Sequence, residues 1–373
     1  MELEQTSPLD ARLNKLRGYL AQDPENLGLL DEIVQAALEA GRSDIAWDVL
    51  GSVPASLSQQ DEVIHLRATA HLAAGRYAEA ETELRAMASL ATGARFNLAY
   101  ALARQERHAE AITALRSLLS AGDAPAAALA WLIRSVRVSE GLTPAVAVWE
   151  SSHPASRNAE AAGVASLLYF DADNFIVAKD LARQALAAGS RPSEALTTEA
   201  GVAIVEDRVA DAVALMNEAL ARNPQDGRLW STLASAFMRD KNLPAAHSAY
   251  EKAVHFTPGH IGTWHGFAWC QLMEGDLAAA AASFQSALEL DRNFGETHGG
   301  LAVIAALEGR RAEAEEAIER ALRLDAAGLS ARFAQAVLSG EAADRDSLLR
   351  LARRLLGARK GPAGGSLADI IFR

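Results

Sequence analysis

The chain has 373 residues, half of them hydrophobic and only 6% aromatic, and it carries a net charge of −12 with a pI near 5.3. Its apolar content comes mostly from Ala and Leu, the strongest apolar helix formers, which favours helices and argues against a β-rich chain. The acidic balance repels phosphate backbones and argues against general nucleic-acid binding; the single cysteine, Cys270, leaves no internal disulfide framework; and no apolar run is long enough to span a membrane.

In chain order, Met1 to Pro8 holds Glu2 and Glu4 and no apolar leader, so the expected compartment is the cytoplasm. Pro8 to Gln22 reads as an amphipathic helix with Leu9, Leu13, Leu16 and Leu20 on one side, and residues 1–26 are expected to form an N-terminal cap. From residue 27 the chain repeats. Residues 27–158 hold four weaker copies. Gly41, Ala46 and Leu50 mark the first, and Ala68, Gly75-Arg76-Tyr77 and Ala80 the second. Leu98-Ala99, Ala111 and Leu118 mark the third, and Leu129, Leu132, Ile133, Ala145 and Trp149 the fourth. The stretch Ser151-Ser152-His153-Pro154-Ala155-Ser156 cuts the fourth copy short, and a break between two arms is expected there.

Residues 159–328 hold five more copies, the first marked by Phe175, Ala178 and Ala185. In the last four the phase is strict. Ala212, Ala246, Ala280 and Ala314 recur every 34 residues; Ala219, Ala253, Ala287 and Ala321 follow seven residues later; Ala200, Ala234, Ala268 and Ala302 lie twelve residues earlier. Small residues at fixed phase let two antiparallel helices cross closely while larger neighbours interdigitate. One such pair cannot bury its apolar face alone, but a stack of pairs can.

Trp230-x₂-Leu233-Ala234-x₂-Phe237 is followed by Ala246-x₃-Tyr250 and Pro258, and the next copy reads Trp264-x₂-Phe267-Ala268, then Ala280-x₃-Phe284. This pattern resembles the tetratricopeptide repeat family, with Ala in place of that family's Gly in the first helix and Arg292 in place of its closing Pro. The resemblance implies an all-α, right-handed superhelical solenoid of helix-turn-helix repeats with N- and C-terminal capping helices. It further implies a concave groove lined by the first helix of each repeat, in which a partner polypeptide is held.

The C-terminal end is expected to be capped by residues 329–356: Leu329 to Leu338 continues as another first helix, and Asp344 to Leu356 closes the stack with a charged outer side. The latter carries Arg345, Arg350, Arg353 and Arg354, followed by Arg359 and Lys360; it reads as a solvated face or as a patch for an acidic partner or membrane surface. Residues 357–373 read as a Gly- and Pro-rich linker and an apolar tail, Leu367 to Arg373.

The groove implied by the family has candidate lining residues set by the phase: Phe96, Tyr100 and Arg104; Arg134 and Arg137; Phe170; Arg228, Met238 and Arg239; His265, Trp269 and Met273. Aromatics and Arg dominate interface energetics, and Arg forks match carboxylates at two points, so an acidic or C-terminal peptide with apolar anchors is the expected partner. The alternatives are that Arg134 and Arg137 pair with carboxylates of neighbouring helices and that Phe96 and Tyr100 pack into the core. The carboxylate clamp of some family members needs Lys and Asn on consecutive first helices, and this chain lacks that series.

The nine histidines do not form a metal motif: His255, His260 and His265 are spaced by five residues, off the helical i, i+4 pairing. No phosphate-binding loop or nucleophile elbow occurs, Gly299-Gly300 lacks a preceding strand, and nothing calls for a cofactor. Trp230 and Trp264, at the repeat distance, read as inter-helix plugs; Trp269 lies outside that register, and Cys270 beside it reads as a small buried residue. A non-catalytic scaffold or adaptor is the expected function. Alternatives are an accessory subunit of an envelope assembly or secretion complex, a regulatory subunit of an enzyme, and self-association.

Overall fold

The computed structural model describes residues 8–341 and residue 350. The expected closing helix at 344–356, with all its basic residues but Arg350, and the linker and tail at 357–373 lie outside the described residues. Among the described residues there are twenty α-helices, one short 3₁₀ turn and no strand. Helix α1 (Pro8–Gln22) precedes nine antiparallel pairs. These are α2 (Leu27–Glu39) with α3 (Ser43–Gly51), α4 (Asp61–Ala73) with α5 (Tyr77–Ala86), α6 (Thr92–Arg104) with α7 (His108–Ala121), and α8 (Ala128–Ser139) with α9 (Leu142–Ser151). Then come α10 (Ala159–Asp171) with α11 (Phe175–Ala187), α12 (Ser193–Val205) with α13 (Val209–Arg222), and α14 (Gly227–Arg239) with α15 (Leu243–Phe256). The series continues with α16 (Ile261–Glu274) and α17 (Leu277–Leu290), α18 (Gly295–Leu307) and α19 (Arg311–Leu324), and a final first helix α20 (Leu329–Ser339). The chain divides into two units, one ending at Ala161 and the other beginning at Ala162.

The alanine phase is the packing phase. Ala200, Ala234, Ala268 and Ala302 are fully buried, as are Ala212, Ala246, Ala280 and Ala314, and the third set is at most 1% exposed. A second device works beside it. The aromatic ring of one second helix enters the space over a glycine of the next first helix. A Cβ on Gly266 would lie 2.5 Å from the Tyr250 hydroxyl, and one on Gly300 would lie 2.4 Å from the Phe284 ring. Any side chain at these two glycines would push the helices apart.

Local chemistry sets the turns. Asn26, Asn174, Asp226, Asn242 and Asp276 accept hydrogen bonds from the first backbone N–H groups of α2, α11, α14, α15 and α17, each cap contributing about 1 kcal/mol. Within a pair the chain reverses through one residue with positive φ. Gly supplies it at 41, 75, 141, 275 and 309, whereas Glu106, Asp173, Asp207 and Lys241 adopt it despite their Cβ atoms. Before each of the last four first helices a side chain ties the incoming loop. Trp230 Nε1 donates to the Pro224 carbonyl at 2.8 Å and Trp264 Nε1 to that of Pro258 at 2.8 Å. His298 Nε2 bonds the Arg292 carbonyl at 2.9 Å and Arg332 donates to that of Ala326 at 2.8 Å. The two tryptophans are thus both partly buried plugs and loop ties.

Helix α9 is ten residues long where α7 has fourteen. It stops at a 3₁₀ turn, Pro154–Ser156, and Arg157 caps it, lying 5.0 Å over the Trp149 ring and donating to the Trp149 and Glu150 carbonyls at 2.9 and 2.7 Å. At the start of the first unit, Leu13 and Leu20 of α1 are buried against α2 and α3.

In each unit successive first helices pack on one another: α2, α4, α6 and α8 in the first, α12 with α14, α14 with α16 and α18 with α20 in the second. Successive second helices do not pack on one another to that extent. The first helices therefore lie on the inner side of each unit's curve.

Candidate functional site

In the first unit the inner side keeps aromatic and cationic groups within reach of solvent. Phe96 and Tyr100 are half-buried on α6, and Arg104, its last residue, is exposed. Tyr100 meets the Trp131 ring of α8 edge-on at 4.7 Å and the Tyr77 ring of α5 at 6.1 Å. The Arg104 guanidinium lies 4.7 Å over the Tyr77 ring and donates to the Tyr100 hydroxyl at 3.3 Å. Burial holds the Tyr77 hydroxyl above its ordinary pKa, with Tyr100 adding to the effect. Arg134 lies 5.0 Å over the Trp131 ring and pairs with Glu160 at 3.0 Å, while Arg137 is half-buried one turn further along α8. Beside them Asn97 Nδ2 and His65 Nε2 meet at 3.0 Å, and burial lowers the His65 pKa.

The second unit uses its inner-facing residues differently. Phe170 packs against Phe175 at 5.3 Å and fills the space over Gly201 of α12. Arg228 of α14 reaches Asp171, at the end of α10, at 2.5 Å. Arg239 pairs with Asp207 at 2.8 Å, and Met238 packs against the cluster around Ala234 and Tyr250. His265 bonds Thr297 at 2.8 Å and sits between the Phe284 and Phe294 rings, its pKa lowered by burial. Trp269 meets Phe284 at 6.1 Å and, past α18, Phe333 of α20 at 6.2 Å. Of the candidates on this unit, Met273 stays 50% exposed.

The helices bridged by these contacts are built to be covered. Helix α18 buries Gly295, Thr297–Gly300 and Ala302–Ala306, and α12 buries Ala195–Thr198 and Ala200–Ala203. Both are small or apolar over most of their surface, with Glu194, Glu199 and Glu296 as the acidic exceptions, the composition of a helix enclosed on most sides. Cys270 is buried in this unit and its thiol is pushed up to about 11, so it stays protonated and weakly nucleophilic.

Sequence phase missed Tyr77, Trp131, Trp47 and Arg76. Trp47 lies 4.5 Å under the Arg76 guanidinium and meets the His71 ring at 4.7 Å. The signal was present as a bulky aromatic in each of α3, α5 and α8, at the middle of α3, the first residue of α5 and the first turn of α8. Among the described residues no group of three or more His, Cys, Asp or Glu is placed to hold a metal ion, and no helix is long and apolar enough to cross a membrane.

This arrangement, stacked helix pairs with an inner side of first helices, is that of a tetratricopeptide repeat protein. The tetratricopeptide repeat family model matches residues 65–128 and 197–261, so the chain carries tetratricopeptide repeats in both units. No curated protein matches it in sequence. A structure of the human IFIT1 dimer with PPP-AAAA is similar over 94% of this chain and 92% of that one, at 16% identity and a TM-score of 0.53. A monomeric IFIT1 mutant with Gppp-AAAA is similar over 97% of this chain and 94% of that one, at 15% identity and a TM-score of 0.53. TTC0263, a thermophilic repeat protein of the same kind from Thermus thermophilus, is similar along all of its length and 49% of this chain, at 20% identity and a TM-score of 0.43. These likenesses concern the fold. Repeats of this kind indicate an interaction scaffold in general.

Proposed function

We propose that the protein is a non-catalytic scaffold that holds a partner polypeptide on the inner side of its first unit. The observation that carries this reading is the contrast between the units. In the second unit Arg228, Arg239 and Trp269 are engaged with Asp171, Asp207 and Phe333, whereas in the first Arg104 is exposed and stacked on Tyr77, beside the half-buried Phe96 and Tyr100. Half-exposed aromatics and Arg are the residue types that most often dominate interface energetics. On this reading the binding surface is α4, α6 and α8, a part of the groove expected along the whole chain. The RNA-like ligand of the IFIT1 structures is not carried over, because likeness at this identity concerns fold and a net charge of −12 disfavours a polyanion.

The test places a photo-crosslinking residue at position 96 of the full chain, and at Arg116 on the outer face of α7 as the control. Polypeptide adducts from position 96 alone are expected. Absence of adducts at 96, or equal yields at both positions, would refute the reading.

A further inference from the structure

The first unit carries a row of cations seated on aromatic rings: Arg76 over Trp47 at 4.5 Å and Arg104 over Tyr77 at 4.7 Å, with Tyr100 and Trp131 continuing the ring contacts. The row crosses four successive repeats. Many other arginines of this unit are held by carboxylates, whereas Arg95 meets the Ser117 hydroxyl and Arg157 stacks on Trp149 and bonds carbonyls. Arg42 is held by Asp10 and Asp44, Arg67 by Glu83, Arg107 by Glu81 and Glu110, and Arg134 by Glu160. In a chain with 48 acidic and 36 basic residues such pairing is the ordinary outcome. Yet among the described residues neither Arg76 nor Arg104 meets a carboxylate, and both are exposed.

A guanidinium seated on a ring is pre-positioned by the ring quadrupole and loses little further freedom when an acid arrives. Its N–H groups project away from the ring, where a carboxylate can accept two of them at once. The rings between the cations offer flat apolar surface for a side chain neighbouring that acid. We propose that Arg76 and Arg104 receive the carboxylates of an acidic polypeptide segment whose apolar side chains lie on Tyr77, Tyr100 and Trp131. This deepens, and rests on, the scaffold reading above. An acidic polypeptide is favoured over a nucleic acid because two local carboxylate pairs are little opposed by the protein's overall negative charge, whereas a continuous phosphate backbone is repelled along its length.

The test uses the full chain and a short fluorescein-labelled peptide of alternating Glu and Phe, read by fluorescence anisotropy. The same peptide with Gln in place of Glu and a labelled oligoadenylate of equal charge serve as comparators. The wild-type chain is expected to bind the Glu peptide best, with affinity falling as salt rises. The double variant Arg76→Gln, Arg104→Gln, checked for helicity by circular dichroism, is expected to bind it about tenfold more weakly, the scale of lost charge-assisted hydrogen bonds. The double Arg→Lys variant, keeping charge but losing the fork, is expected to fall between. Equal binding of the Glu peptide by the Gln variant, equal binding of the Gln peptide, or equal binding of the oligoadenylate would overturn the proposal. If position 96 still crosslinks a native polypeptide in the Gln variant, the row is not the acid site while the scaffold reading stands. If position 96 crosslinks nothing in the wild type, the scaffold reading itself fails.

Discussion

Arg228 and Asp171 are 57 residues apart in the chain and meet at 2.5 Å, joining first helices two repeats apart with α12 between them. Nearest-neighbour stacking does not require this contact. It ties α14 back to the end of α10, past the intervening α12.

Removing that contact tests its role. Arg228 is 42% exposed, so the pair is screened, and Arg228→Ala is expected to cost only about 0.5–1 kcal/mol, measured by urea denaturation, with the loss shrinking at high salt. Amide exchange in α12 is expected to quicken in the variant, while crosslinking from position 96 stays unchanged. Slower crosslinking there would show that Arg228 contributes to partner binding after all.

A second prediction concerns the seam between α17 and α18. Gly300→Ala sets a methyl group 2.4 Å from the Phe284 ring, and the expected loss is about 1–3 kcal/mol in thermal or denaturant unfolding. Phe284→Leu in the same chain makes room, so the double variant should lose less than the sum of the two singles. Strict additivity would mean that the Phe284 ring is not what opposes the added methyl group.

A third concerns acid. Burial holds His65, His71 and His265 below the ordinary value of 6.5. As pH falls, the unfolded chain therefore binds these protons first. The stability held by the neutral rings is complete above about pH 6.5 and is lost as pH drops from there through the lower folded-state values. The melting temperature is expected to fall between about pH 7 and pH 5, and less steeply in His265→Gln, which keeps a hydrogen-bonding group beside Thr297. A profile flat over that range would contradict the burial of these imidazoles.

The repeats were legible because helix crossing admits few solutions. Ala234 and Ala246 must be small wherever two helices touch at their closest, so the same requirement returns in every repeat and leaves a period in the sequence. The inner surface was only partly legible. Phase places Arg228, Trp269 and Arg239 on the inner side. It does not reveal that Asp171 and Phe333 reach Arg228 and Trp269, because a repeat pattern encodes neighbours and these partners lie two repeats away; Asp207, which reaches Arg239 from the adjoining repeat, sits in a turn outside the helix phase. The stacked row of the first unit was hidden for a related reason: Trp47, Tyr77 and Trp131 occupy different positions within their repeats, and only the curvature of the stack brings such residues into line with Arg76 and Arg104.

The loop ties ahead of α14, α16, α18 and α20 do one job with an indole, an indole, an imidazole and a guanidinium. What selection must keep at that position is an N–H group at a set height above a carbonyl, not a particular residue. Substitutions that exchange one donor for another therefore leave the pitch of the stack intact, and a lineage can rewrite its tryptophans without altering its coil.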